Sequence, residues 1–216
     1  MSIQSNLQNI KSTLPELVTL VAVSKTKPVS DLMEAYNAGQ RVFGENKIQE
    51  MVDKWEQMPK DIEWHMIGHV QTNKVKFMAP FVSLIHGVDS LKLLEEIDKQ
   101  ALKNNRIIDC LLQIYIAEEE SKFGLDEEEL TTLLASPTFK EMKNIRIVGL
   151  MGMATFTDNQ NQIKKEFTHL KSIFDQSTIH NSQFTILSMG MSGDYQLAIS
   201  CGSTMVRIGS SIFGGR

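Results

Sequence analysis

No apolar run in this chain approaches the ~18 residues of a membrane span, so the sequence predicts no transmembrane helix. The N-terminus, MSIQSNLQNIKSTLPELV, lacks a basic region followed by an apolar one, so no secretory signal is expected. It also lacks glycine at position 2, which argues against N-myristoylation. Basic charge is scarce: 22 Lys+Arg against 26 Asp+Glu leave a net charge of -4, without the basic footprint of a nucleic-acid binder. No block of five or six like charges marks a tail; the longest is Glu127–Glu129, preceded by Asp126. Only Cys110 and Cys201 occur, both in apolar surroundings, which fits reduced core thiols and a cytoplasmic location. Linkers, repeats and low-complexity segments are also missing. Residues 1–216 therefore read as one globular domain of ordinary composition, 42% hydrophobic and 22% charged.

What is present is an alternation. Short apolar, β-branched runs predict strands over Leu17–Ser24, Arg41–Gly44, Glu63–Gly68, Val82–Val88, Asp109–Ile116, Arg146–Met151, Phe184–Met189 and Met205–Gly209. Helical patterns fill the gaps, near Ser30–Ala38, Lys47–Met58, Thr72–Met78, Ser90–Asn104, Asp126–Leu134, Asn161–Gln176 and Gly193–Ser200. Strands alternating with helices imply a parallel sheet, and eight of them suggest a (β/α)8 TIM barrel. An open doubly wound sheet is the alternative. An extra N-terminal helix near Ile3–Ser12 would stand in for the helix missing after the last strand.

Two cations fall where apolar side chains belong. Along the first strand Val21, Val23 and Lys25 share a side. Along the last, Met205, Arg207 and Gly209 do, with Val206 and Ile208 facing the helices. Barrel closure makes these strands neighbours, which would set Lys25 beside Arg207 at the carboxyl end where such barrels carry their sites. A buried arginine keeps its proton, so the lysine is expected to fall below its usual pKa and become a nucleophile for carbonyls. On pattern alone the competing reading stands equally: a surface lysine, and a structural arginine paired with an inward acid. Two glycine-rich turns follow strands seven and eight, SMGMSGD (Ser188–Asp194) and RIGSSIFGG (Arg207–Gly215), where barrels often bind phosphate. Ser192 could serve there as N-cap and ligand together. A phosphate, a carbonyl for Lys25 and an acceptor for Arg207 specify pyridoxal 5'-phosphate (PLP).

The motifs resemble the YggS/PROSC family of pyridoxal phosphate homeostasis proteins along nearly the whole chain. VAVSKTKP, FGENKIQE (Phe43–Glu50), WHMIGHVQTNK (Trp64–Lys74), SKFG (Ser121–Gly124), GLMGMAT (Gly149–Thr155), SMGMS and VRIGSSIFG carry the likeness. The resemblance implies a PLP-binding barrel akin to the N-terminal domain of alanine racemase. It implies that Lys25 holds the cofactor as an aldimine, that Ser192, Gly209 and Ser210 hold the phosphate, and that Arg207 faces the pyridine nitrogen. Asn46 would lie near the ring and His69 at the pocket rim. Many relatives differ from this chain at Ser210, Gly193 and His69, so His69 is assigned no catalysis.

The remaining candidates have plainer explanations. His65 and His69 show an HxxxH spacing, but His65 falls in a strand and Gly68 interrupts the run, so no metal site is expected. Glu45 reads as a first-turn helix acid beside an Asn46 cap rather than a general base. The acids Glu118–Glu120 read as a solvated loop, in which Lys122 could attract phosphate. Met151, Met153, Met189 and Met191 are placed to wall the pocket. In alanine racemases, as the resemblance implies, the second base is a tyrosine from an additional domain. Here the chain ends seven residues past Gly209, leaving no room for one, and Tyr36, Tyr115 and Tyr195 suit helices or core. The expectation is therefore a monomeric PLP carrier acting in intracellular cofactor homeostasis, with no catalytic residue. PLP-dependent apo-enzymes are candidate acceptors. A weak amino-acid racemase and a Schiff-base aldolase are the alternatives.

Overall fold

The computed structural model describes residues 2–118, 123–180 and 183–215. A parallel strand covered on both faces needs a nearly continuous apolar run, and the eight predicted runs all become strands. Helix α1 (Ile3–Thr13), capped by Ser2 whose hydroxyl accepts from Ser5 N–H, leads into β1 (Thr19–Val23). Then follow α2 (Val29–Asn37), β2 (Val42–Glu45), α3 (Ile48–Gln57) and β3 (Glu63–Met66). A 3-10 turn at Thr72–Lys74 opens α4 (Val75–Met78), which precedes β4 (Leu84–Val88), α5 (Leu91–Lys103) and β5 (Ile108–Gln113). The gap before β6 (Ile145–Met151) holds two helices, α6 (Glu127–Ala135) and α7 (Pro137–Glu141). A reciprocal Asp126–Glu129 capping box starts α6, and a proline in the first turn starts α7. Helix α8 (Gln160–His180), β7 (Ile186–Ser188), α9 (Tyr195–Ser200), β8 (Met205–Ile208) and a one-turn α10 (Ser210–Phe213) complete the order.

The strands close in sequence order, all parallel, with β1 paired to β8. This is a TIM barrel, and the open doubly wound alternative fails. The place after β8 is not empty of helix, as the sequence suggested: α10 occupies it, and Asn6 of α1 donates to the Ile212 carbonyl at 3.0 Å. Helix α1 thus packs onto α10 rather than replacing it.

Alternation sorts the side chains into two cores. Outward residues such as Phe43, Trp64, Ile85 and Val206 pack under the helices. Inward ones stack in layers along the barrel axis. At the amino end Arg146 and Asp109 form a bidentate ion pair at 2.7 and 2.8 Å. The middle is apolar, with Val21, Leu84, Leu111, Val148 and Met205 in mutual contact. At the carboxyl end the inward side chains turn polar: His65, His86, Gln113, Ser188 and Arg207, all buried. That layer is the floor of the site.

Candidate functional site

Parallel pairing aligns Val21 with Arg207 across the β1–β8 seam. Both point inward, as period-two alternation from Met205 requires. Lys25, four residues beyond Val21, reaches the same mouth. A cavity of about 760 Å3 opens there, within the range of ~300–1,000 Å3 usual for small-molecule sites, lined by Lys25, Asn46 and His69 on one side and Ser192, Arg207, Gly209 and Ser210 on the other. The fold thus brings all seven sequence-predicted residues to one space. Lys25, Asn46, Ser192 and Gly209 are half-buried, Ser210 and His69 are exposed, and Arg207 is buried. The His69 ring stacks on Phe123 with centroids 4.6 Å apart and lies 3.5 Å from Asp89. Of the SKFG motif, Phe123 lines the cavity, whereas Ser121 and Lys122 lie outside the described residues, as do Glu119 and Glu120.

The turn after β7 differs from expectation. Ser192 does not cap a helix: α9 starts at Tyr195 behind Asp194, whose carboxylate accepts from Met191 N–H at 2.5 Å and closes the turn. Freed from capping, the Ser192 hydroxyl accepts from the backbone N–H groups of Gly209 and Ser211 at 3.3 and 3.4 Å. The two glycine-rich turns therefore meet at one point, a cluster of donors suited to an anion. Open space surrounds the Gly193 Cα. Met153 and Met191 line the cavity, but Met151 packs in the lumen and Met189 under the helices, because their strand positions face away from the mouth.

The Arg207 guanidinium donates from Nη1 to the Ser188 carbonyl (2.9 Å) and hydroxyl (2.7 Å), and from Nη2 to the Gly152 carbonyl (3.1 Å). Burial lowers its pKa to about 10, against the pull of Asp194, so it remains a cation at neutral pH. The Ser188 hydroxyl lies 3.1 Å from His86 Nδ1, and His86 Nε2 lies 3.1 Å from His65 Nδ1. A guanidinium only donates, so the arrangement that uses every hydrogen runs one way: Arg207 to Ser188, Ser188 to His86, His86 to His65. Burial holds the His65 pKa down to about 3 and, with the nearby His65 and Arg207, holds His86 well below the ordinary value. Both imidazoles are neutral. The cation is thus seated on neutral acceptors, the Ser188 carbonyl and hydroxyl and the Gly152 carbonyl.

The sequence reading missed this chain. Its signal is the polar residue at every second position of a buried strand: Leu84 then His86, Ile186 then Ser188. It also misplaced Glu45, which ends β2 fully buried and pairs with Lys54 of α3 at 2.7 Å instead of starting a helix. Helix α3 begins behind Lys47, and Asn46 lines the cavity without capping it. His65 faces the lumen and His69 the rim, and no metal-ligating cluster of three forms among the described residues. No helix among the described residues is long and apolar enough to cross a membrane.

The family described as alanine racemase, N-terminal domain, matches residues 1–216. A pyridoxal phosphate homeostasis protein of Aquifex aeolicus is 40% identical over 199 residues, 91% of this chain and 86% of its own. One from Haemophilus influenzae is 39% identical over 231 residues, covering 100% of this chain and 97% of its own. Among solved structures, PipY of Synechococcus elongatus with PLP bound superposes with a TM-score of 0.90 at 34% identity, covering 99% of this chain and 100% of that one. An alanine racemase of Bartonella henselae superposes at 0.73 with 19% identity, over 99% of this chain but 58% of that one; at that identity it speaks for the fold alone.

Proposed function

Because this chain belongs to the pyridoxal phosphate homeostasis proteins, within the alanine racemase N-terminal domain family, we propose that it binds PLP at the barrel mouth and serves cofactor homeostasis without robust catalysis of its own. The observation that carries this is the meeting of Lys25, Arg207 and the Ser192–Gly209 donor cluster around one cavity. That donor set fits the group: an amine, a guanidinium and convergent hydroxyl and N–H donors for a carbonyl, a ring acceptor and a phosphate. When bound, PLP supplies an electrophilic aldehyde that condenses with an amine, forming C=N and releasing the aldehyde oxygen as water.

The chain's own residues divide the work. Lys25 offers the amine. Ser192, whose hydroxyl accepts from the Gly209 and Ser211 N–H groups and keeps its own hydrogen to donate, holds the phosphate together with Gly209 and Ser210. Three of the five N–H groups of Arg207 fix it to Ser188 and Gly152, and one of the remaining N–H groups would donate to a ring acceptor without surrendering a proton. An acid in that place would strengthen an electron sink; a guanidinium does not. No tyrosine lines the cavity among the described residues. The Tyr36 hydroxyl is bonded to Asp61 and that of Tyr195 lies 3.2 Å from the Thr13 hydroxyl. These features support a carrier over a racemase, which needs a base on each face of its substrate carbon.

The proposal includes a single domain over 1–216, a monomer in the cytoplasm, and PLP-dependent apo-enzymes as acceptors. Borohydride reduction of the PLP-treated protein, followed by peptide mass spectrometry, should place the pyridoxyl group on Lys25 and lose it in Lys25→Ala. Label elsewhere, or sustained inversion of L-alanine or another amino acid by purified protein, refutes it.

A further inference from the structure

The residues on either side of Lys25 are gripped by a buried ion cluster that the sequence reading did not connect to the site. Thr26 has φ of 63°, in the left-handed region. For a β-branched residue that conformation is a true outlier, costing on the order of 1–3 kcal/mol, and persists only where its surroundings enforce it. Here the Thr26 N–H donates to Glu50 Oε1 of α3 at 2.5 Å. The same oxygen accepts from Lys54 Nζ, one helical turn on, at 2.7 Å. Lys54 spends its other two hydrogens on the Ser24 carbonyl and Glu45 Oε1, both at 2.7 Å. The Ser24 hydroxyl donates to that Glu45 oxygen at 2.6 Å. Lys54 and Glu45 side chains are 7% and 0% exposed, and that of Glu50 is 24%.

A buried ion cluster is a poor device for stability, since desolvating its charges offsets most of their attraction. Helix α3 already buries Ile48 and Met51 in the apolar core under the helices. Both costly features, the strained turn and the buried charges, converge instead on the two neighbours of one lysine. We propose that Glu50 and Lys54, supported by Glu45, are positioning residues: they hold the Ser24–Thr26 turn in its left-handed form and so fix where the Lys25 amine enters the cavity. The proposal takes Lys25 as the attachment amine, as above. Glu50 and Lys54 touch no ligand in this scheme; they act through the backbone on either side of Lys25.

The test mixes apo-protein rapidly with PLP and follows the yellow absorbance of attachment. Binding of deoxypyridoxine 5'-phosphate, which keeps ring and phosphate but has no aldehyde, is measured in parallel. In Glu50→Ala, attachment should slow about tenfold or more, as misplacement of a reacting group does, while affinity for the aldehyde-free analogue stays within about twofold. Thr26→Gly is the background for a double-mutant cycle, because glycine adopts the turn unaided. In that background Glu50→Ala should lose much less, a coupling that a merely structural role would not create. Lys54→Met is the second probe; if it does not fold, Glu50→Ala and the Thr26→Gly cycle decide. Wild-type attachment in Glu50→Ala, equal loss of both ligands, or additive effects in the cycle each overturn the positioning role. Undiminished attachment in Lys25→Ala would instead refute the choice of amine, which separates the two failures.

Discussion

The neutral histidines of the lumen make the apo-protein's stability a function of pH. An unfolded histidine titrates near pH ~6.5. In the fold, His65 is held to about 3 and His86 well below its ordinary value, both by burial. Unfolded chains therefore take up two protons below pH ~6.5 that the native state refuses. The stabilising contribution is fully present above the unfolded pKa and is lost as pH falls toward the folded one. Between pH 7 and pH 5 His65 costs about 2 kcal/mol by this linkage, and His86 adds to it in the same direction. Glu45 acts oppositely: burial raises its pKa, so its folded form binds a proton first and partly offsets the loss as pH drops. Urea unfolding followed by circular dichroism at pH 7 and pH 5 should show a net fall on the order of 2 kcal/mol. In the His65→Gln, His86→Gln double variant the fall should shrink by most of that amount. An unchanged pH dependence in the double variant would show that these rings are not held neutral by the lumen.

Three further outcomes follow from particular contacts. Glu166, buried on α8, accepts from the N–H and hydroxyl of Thr155 at 2.6 Å each and so pins a cavity-lining loop; Glu166→Ala should cost about 2–3 kcal/mol in urea unfolding and weaken PLP in an absorbance titration. Leu111 is fully buried in the closed lumen, where little can collapse into a void, so Leu111→Ala should fall in the upper part of the ~2.7–5 kcal/mol range for such truncations, against no measurable change for exposed Leu102→Ala. A Cβ at Gly149 would collide with the Ile186 backbone across the β6–β7 pair, so Gly149→Ala should lower Tm by more than about 5 °C in differential scanning calorimetry.

Much of the barrel was legible because parallel strands sealed between lumen and helices must be apolar along their length, and runs such as Leu20–Val23 and Ile147–Met151 stand out from their flanks. Helices α7 and α10 escaped because five and four residues carry too little periodicity. Lys25 and Arg207 were readable because each is a charge breaking an apolar alternation. The Arg207–Ser188–His86–His65 chain was not, since its hydrogen bonds join β3, β4, β7 and β8, and contacts between distant strands leave no local trace. Glu45 was misread for a similar reason. A carboxylate one residue past an expected strand end looks solvated until the helix behind it brings Lys54 against it.

The β1–β8 seam has a consequence for how the molecule acquires its ligand. The amine and the guanidinium come from the first and the last strands to be synthesised, and the donor cluster spans the turns after β7 and β8. No partly wound cylinder owns a complete receptor. On the proposed site, cofactor capture would require ring closure, and a bound molecule would tie the two termini of the sheet together.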